Sequence, residues 1–340
     1  MSAKTPAPVT VTAKPLARAA DRLLIPASVG VPIRPPSDLV FEFAGHTFGQ
    51  VWSASAIAPV GTDKTSVEAL VRSTISAQEA VFDRTQANSE IQRFNAAPTG
   101  FWALSDSLWG LLDATMDMGD ETDGAVDPTL GGLLDLWADD RQPDAEALER
   151  ARPLTGWQGL RMNRPAQAAL QPGGLTLDFE PVIAGHLVDA ISDRLSQSGA
   201  TAHRVQVGPV VRGVGVRPDA QPWWAPVPGS GVAPLSPIVV ALVDQSLAWV
   251  DRRDGGRILD GRNLGPLNHE LVVVSVLDRS AFRAQALARA LMVMGPFDGA
   301  IYAEALGVTA HFLTEGPRGP EERVSPALTA QIDAPTAHSA

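Results

Sequence analysis

The chain has 340 residues, 45% of them hydrophobic, enough to bury one large or two modest cores. Its 38 acidic residues against 27 basic ones give a net charge of −11; the charges are dispersed, which excludes nucleic acid as the main partner because phosphate binding needs clustered lysine and arginine. The absence of cysteine excludes disulfides, thiolate metal sites, cysteine nucleophiles and lipid anchoring through an N-terminal cysteine. Residues 1–38, rich in Pro and Ala and ending in "VPIRPPSD", read as a disordered tail. They lack the apolar core of a secretory signal, and no apolar run is long enough to span a bilayer, so a cytoplasmic location without membrane insertion is expected.

The body, expected to be one domain over residues 39–315, opens with a strand pattern in "FEFAGHTFGQVWSASAIA" (Phe41–Ala58). A helix follows in "TSVEALVRSTISAQEAVFDR", where Val67, Leu70, Val71, Ile75, Val81 and Phe82 recur at helical spacing and Thr65 with Glu68 forms a capping box. A second helix is expected from about Ser105, with Leu108, Leu111, Leu112, Thr115 and Met116 on one face. Next come a strand in "LTLDF" (Leu175–Phe179) and a third helix over Val182–Ser198, stopped by Gly199. Strands are expected at His203–Gly208, Ser236–Val243, Ser246–Val250 and Glu270–Leu277, with a Pro/Gly loop carrying adjacent Trp223 and Trp224 after the first. A fourth helix runs from about Ser280 to Met294 and stops at Gly295, "GVTAHFL" (Gly307–Leu313) is the last strand, and residues 316–340 read as a second disordered tail. Strands come in runs rather than alternating with helices, which points to an α+β fold.

One stretch combines chemistry with core residues: "TDGAVDPTLGGLLDLW" (Thr122–Trp137) sets Asp123, Asp127, a proline and three glycines against Leu133, Leu134, Leu136 and Trp137. Gly124 lets the backbone turn closely past a ligand, and Asp123 with neighbouring amides can hydrogen-bond a planar heterocycle. Asp127-Pro128-Thr129 fixes a turn before the apolar segment packs inward. In "SEIQRFN" (Ser89–Asn95), Ser89, Glu90 and Asn95 cap and stitch a turn, and Trp52 and Trp137 fit a core. His46, His186, His203, His269, His311 and His338 show no metal-ligand spacing, and there is no nucleophile elbow or phosphate loop.

"SEIQRFN" followed by "TDGAVDPTLGGLLDLW" resembles the ApbE family, the FAD:protein FMN transferases, whose members read SEISRFN and then TDGAFDPTVGPLVNLWGF. The similarity covers roughly residues 40–315. It implies an ApbE-like, T-fold-related architecture of mixed, largely antiparallel sheets flanked by helices. It also implies binding of FAD with magnesium and transfer of the FMN phosphoryl group to a threonine or serine of an acceptor flavoprotein, with AMP leaving. Such phosphoryl transfer depends on positioning and on charge neutralisation by the metal.

Carried over position by position, the flavin contacts of the family fall on Asp123, Gly124 and Ala125. Phe48 of "FGQVWS" stands for the family's Met beside the flavin, while Asp83, Arg84 and Thr85 replace its Ser-Thr-Tyr, so the aromatic stacking partner is missing. The family's LDLGGIAKGYAVD matches "LDFEPVIAGHLVD": Asp178, Gly185 and Asp189 are kept, the paired glycines become Glu180 and Pro181, and the lysine becomes Ala184. The family's ADALATALFVMG matches "AQALARALMVMG", so its magnesium-binding Asp and Thr become Gln285 and Arg289. A guanidinium has no lone pair and repels a divalent cation, so magnesium cannot be held in the family manner. Arg289 then either faces solvent from the helix surface or substitutes for the metal's charge against a phosphate. In "RILDGRNLGP" (Arg257–Pro266) the family's HIIDPRTGxP keeps Asp260, the candidate catalytic residue, Arg262 and Pro266.

The nucleotide-contact candidates are therefore Phe48, Thr85, Asp123, Gly124, Ala125, Asp178 and Ala184, and the family metal positions are Pro181, Gln285 and Arg289. Three functional classes remain open: an FMN transferase with weak or lost activity, a non-catalytic binder of flavin or a related nucleotide, and an interaction module using "PWWAPVPG" and the Pro-rich tails. Exposed tryptophans would favour the last.

Overall fold

The computed structural model describes residues 22–24, 39–138, 142–255 and 257–332. The two expected tails lie outside the described residues except for 22–24 and 316–332. The first half of the chain forms β1 (Arg22–Leu24), β2 (Val40–Thr47), β3 (Gln50–Ile57), α1 (Lys64–Phe82), α2 (Glu90–Asn95), β4 (Gly100–Ala103), α3 (Asp106–Glu121), α4 (Gly131–Leu136), α5 (Ala145–Ala151), β5 (Met162–Asn163) and β6 (Ala168–Gln171). The second half forms α6 (Glu180–Gln197), β7 (Ala202–Val207), β8 (Val210–Val214), β9 (Trp223–Pro226), β10 (Ile238–Leu242), β11 (Gln245–Asp251), β12 (Leu259–Asp260), β13 (Gly265–Pro266), β14 (Leu271–Asp278), α7 (Ala281–Ala305), β15 (Thr309–Gly316), β16 (Gly319–Val324) and α8 (Pro326–Ile332). No described helix is long and apolar enough to cross a membrane.

The body divides into two compact units, one drawing on residues up to 75, 184–251 and 270 onwards, the other on 76–183 and 252–269. In the first, eight strands run in the order β16-β15-β14-β11-β8-β7-β3-β2, every neighbour antiparallel. Side chains of a strand alternate between faces, and here both faces are covered. Val210 and Ala248 join a core with Val71 of α1, Leu187 and Ile191 of α6 and Ala284 of α7. Their neighbours Val211 and Leu247 join another with Leu24, Trp223, Val240 and Leu328 of α8. That second core lies under the small sheet β1-β10-β9, in which β1 is parallel and β9 antiparallel to β10. This is the α+β architecture of largely antiparallel sheets flanked by helices.

The second unit holds α2 to α5, the three-stranded sheet β4-β6-β5 and the ribbon β12-β13. Its core joins Leu130 and Leu133 to Leu259 and Leu264, with Trp137 and Leu148 packed alongside.

Several expected elements differ. α1 is capped two residues before Thr65, not by the Thr65–Glu68 box: Asp63 Oδ2 accepts from the Ser66 amide at 3.1 Å, the N-cap contact, and Glu68 instead accepts from Arg72 Nε at 2.8 Å. "LTLDF" is not a strand, because side chains take the place of a ladder: the Leu177 amide donates to Asn95 Oδ1 (2.8 Å) and the Leu177 carbonyl accepts from Asn95 Nδ2 (3.0 Å). α7 continues past Gly295, whose φ of +84° breaks the helix before Pro296 restarts it, a favoured place for proline. The Trp223–Trp224 stretch contains β9, with Trp223 buried and its Nε1 donating to the Val214 carbonyl at 3.0 Å, which weighs against a tryptophan docking surface. Residues 316–332, expected as tail, fold because Gly316 and Gly319 close a hairpin onto β15 and Leu328 of α8 enters the core.

Candidate functional site

Phe48, Ala184, Gln285 and Arg289 belong to the first unit, and Thr85, Asp123, Gly124, Ala125, Asp178, Pro181 and Asp260 to the second. In the first, the geometry is set where α6 meets α7. Ser280 caps α7, its Oγ accepting from the Arg283 amide at 3.2 Å. Asp189 of α6 reaches across to accept from the amides of Ala281 and Phe282, both at 3.0 Å, and from Ser280 Oγ at 2.8 Å. A carboxylate at a helix N-terminus also meets the positive end of the helix dipole. Removing it by Asp189→Ala should cost about 2–3 kcal/mol in a urea titration; a loss below about 0.5 kcal/mol would show that α7 is capped without it.

The two helices cross so closely that a Cβ on Gly185 would stand 2.3 Å from the Ala281 carbonyl oxygen. At that crossing the Gly185 amide donates to Gln285 Oε1 at 2.7 Å. Gln285 and, one turn on, Arg289 are 5% and 8% exposed. The solvent-facing alternative for Arg289 is thus overturned: α7 is apolar nearly all round and buries this face with the rest. As a donor set the pair does not fit magnesium, because one oxygen is already engaged by an amide and the guanidinium offers none. Ala184, in the lysine position, is enclosed in the core and presents nothing to a ligand. His186, near Asp189, has its pKa lowered by burial, which outweighs the attraction of that carboxylate.

Phe48 and Gly49 form the two-residue turn between β2 and β3, at φ +48° and +72°. Positive φ at both positions is what such a hairpin turn requires, and Asn-Gly meets it at far lower cost than a bulky residue. Phe48 is half-buried against the sheet core.

In the second unit most of the motif stretch is fastening. Thr122 Oγ1 donates to the Met118 carbonyl (2.7 Å) and accepts from the Val126 amide (3.2 Å). Gly124, at φ +75°, does approach something closely, but the neighbour is Trp157: a Cβ there would lie 2.0 Å from the indole Cζ3. Gly119 meets the same ring, and Trp157 Nε1 donates to Asp120 Oδ1 at 2.7 Å. Ala125 is buried. Asp127 is buried too, its Oδ1 accepting from the Thr129 amide (2.7 Å) and hydroxyl (2.6 Å). Burial raises its pKa, more than the donors of Thr129, Trp157 and Gly156 lower it. Asp123 is the exposed member, at φ +49°, and its carboxylate makes no hydrogen bond or ion pair among the described residues.

Asp178 is taken up twice: Oδ1 accepts from the Glu180 amide (2.8 Å), capping α6, and Oδ2 pairs with Arg84 (2.5 Å), which also holds both oxygens of Asp135 (3.0 and 2.9 Å). Burial works against the Arg84 charge, but the Asp178 and Asp135 carboxylates more than offset it and raise its pKa. The family's Thr-to-Arg84 replacement gave no warning of this triad. Thr85 is exposed and donates to Asp83 Oδ1 at 2.7 Å. Pro181 is buried in the first turn of α6. Asp260 is held by Arg262 at both oxygens (2.8 and 2.9 Å). The "SEIQRFN" residues stitch the unit as expected: Ser89 caps α2, Glu90 accepts from the Ser105 amide (2.7 Å) and hydroxyl (2.6 Å), and Asn95 brackets Leu177. A cleft of about 220 Å³, lined by Thr129, Leu133, Arg150, Leu154, Thr155 and Thr176 among others, contains none of the candidate residues.

Residues 48–312 match the model of the ApbE family. The FAD:protein FMN transferase of Klebsiella pneumoniae is 26% identical over 316 residues, spanning 86% of this chain and 89% of that protein, and the one from Vibrio cholerae is 27% identical over 78% and 84%. The apo crystal structure of Pseudomonas stutzeri flavinyl transferase ApbE superposes with a TM-score of 0.81 at 29% identity, covering 87% of this chain and 98% of that one. The flavin transferase ApbE of Vibrio cholerae superposes with a TM-score of 0.77 at 25% identity, covering 86% and 100%. With the family model spanning most of its length, this chain belongs to the ApbE family.

Proposed function

We propose that the protein is a pseudoenzyme of its family, which recognises FAD or a related nucleotide and has lost magnesium-assisted FMN transfer to an acceptor flavoprotein. The observation that carries this is the engagement of Gln285 Oε1 by the Gly185 amide at 2.7 Å, with Arg289 buried one turn further on. Phosphoryl transfer from FAD needs the developing charge neutralised at the phosphate, and a hard divalent cation needs oxygen ligands to stay there. One amide oxygen that already accepts from the Gly185 amide, beside a guanidinium that has no lone pair and repels a cation, is not such a ligand set. Recognition of the nucleotide rests on Asp123, exposed and held at positive φ, a strained backbone of the kind that clusters at binding sites.

The test is a thermal-shift titration with FAD alongside an assay for AMP release with magnesium and an acceptor domain. Saturating FAD should raise Tm, since at one hundred times Kd a native-state ligand stabilises by about 2.7 kcal/mol. Magnesium should add nothing, and neither AMP nor covalently flavinylated acceptor should appear. Stoichiometric flavinylation would overturn the loss of transfer. No thermal shift at saturating FAD would remove nucleotide recognition and leave the protein-interaction alternative.

A further inference from the structure

We propose that the edge of β10 together with Glu322 is a receptor for an extended peptide bearing an arginine and, two positions on, an apolar residue, and that Arg22–Leu24 fills it in cis as an exchangeable strap. β1 adds to β10 in parallel over three residues, Arg22 opposite Ile238 and Leu24 opposite Val240. The Arg22 amide donates to the Pro237 carbonyl (2.9 Å) and its Nε to the Ser236 carbonyl (2.7 Å), while the guanidinium NH2 pairs with Glu322 of β16. Leu24 is fully enclosed in the core beneath this sheet. So short a strand holds on through one charged and one apolar anchor, the pattern by which sheet edges capture peptides: backbone hydrogen bonds for affinity, alternate side chains for selectivity.

The receptor does not depend on its occupant. The Glu322 side chain is 1% exposed, and Oε2 accepts from the Gly231 and Val232 amides at 3.0 and 3.3 Å, with His311 Nε2 3.5 Å from Oε1. These donors belong to the same unit and keep the carboxylate fixed when the arginine leaves. Burial would raise its pKa, but the His311 and Arg22 contacts and the Gly231 amide bring it down to about 2 with the strap in place. Neither β1 nor β16 lies within residues 48–312 matched by the family model.

The experiment uses the full chain carrying Arg22→Ala and a fluorescent peptide with the sequence of residues 19–27. The peptide should bind the variant, bind the unaltered chain about ten-fold more weakly because the cis strap competes, and lose binding when its arginine is replaced by alanine or when Glu322→Gln is added to the protein. Absence of binding to Arg22→Ala, or equal binding of the alanine peptide, overturns the proposal. Hydrogen exchange separates exchange of the strap from loss of fold: protection in β14 and α7 should match the unaltered chain. If it collapses there, the strap is a fixed structural member and the proposal fails.

Discussion

Lowering the pH from 7 to 4 should weaken folding by about 3 kcal/mol through His203 alone. This side chain of β7 is 0% exposed. Its Nδ1 lies 3.1 Å from the Ala200 carbonyl, which can only accept, so Nδ1 carries the proton and Nε2 accepts from the Ser192 hydroxyl at 2.7 Å. Burial is the main reason that its pKa falls to about 4; the Ala200 contact and Asp244 oppose the fall and Arg212 adds to it. Because the folded state refuses a proton that the unfolded chain takes up at its ordinary value, the contribution is complete above about pH 6.5 and is lost as pH falls to about 4. Glu322 acts lower, its share being present above its ordinary value and lost as pH falls towards about 2. Asp127, with a raised pKa, works in the opposite direction. Urea titrations of the unaltered chain and of His203→Gln at pH 7 and 4 isolate the imidazole: the unaltered chain should lose about 3 kcal/mol more than the variant. Equal losses would mean that the Ser192–His203 pair accommodates the proton.

The features visible in the sequence are the ones set by neighbours within a few residues. α3 and α6 announce themselves by apolar spacing, and their ends follow from the Ser105 cap and from Gly199 at φ +92°. The alternating strands are equally local. β8 is hidden because Gly208-Pro209 reads as an end, whereas it is the two-residue turn of a hairpin in which Val207 faces Val210. "LTLDF" has strand composition but meets Asn95, eighty-two residues earlier, instead of a strand. The same boundary runs through the site. That Gln285 and Arg289 replace an oxygen-donating pair is implied by the family resemblance, and their four-residue spacing puts both on one helix face. That Gln285 is consumed by the Gly185 amide does not, since the contact spans one hundred residues. Arg84 bridging Asp135 and Asp178 is invisible for the same reason, and Gly124 shows only that something must come close, not that it is Trp157.

Replacing that glycine should reveal what it accommodates. Gly124→Ala forces a side chain onto φ +75° and drives a Cβ to 2.0 Å from the Trp157 ring, so backbone strain of about 1–2 kcal/mol adds to overpacking of about 1–3 kcal/mol. Trp157→Ala removes a buried indole and its bond to Asp120, costing about 3–5 kcal/mol. In the double variant the new Cβ enters the space the indole vacated, so only the backbone part survives and the total should fall short of the sum by about 1–3 kcal/mol. Urea titrations of the four proteins give the coupling directly; additivity within about 0.5 kcal/mol would mean that the two groups do not share this volume. The cycle also decides between two roles for the glycine. Were it kept to let a nucleotide approach, Gly124→Ala would abolish the FAD-induced thermal shift with little change in stability. The packing against Trp157 requires the reverse: a large loss of stability, rescued in part by the second substitution.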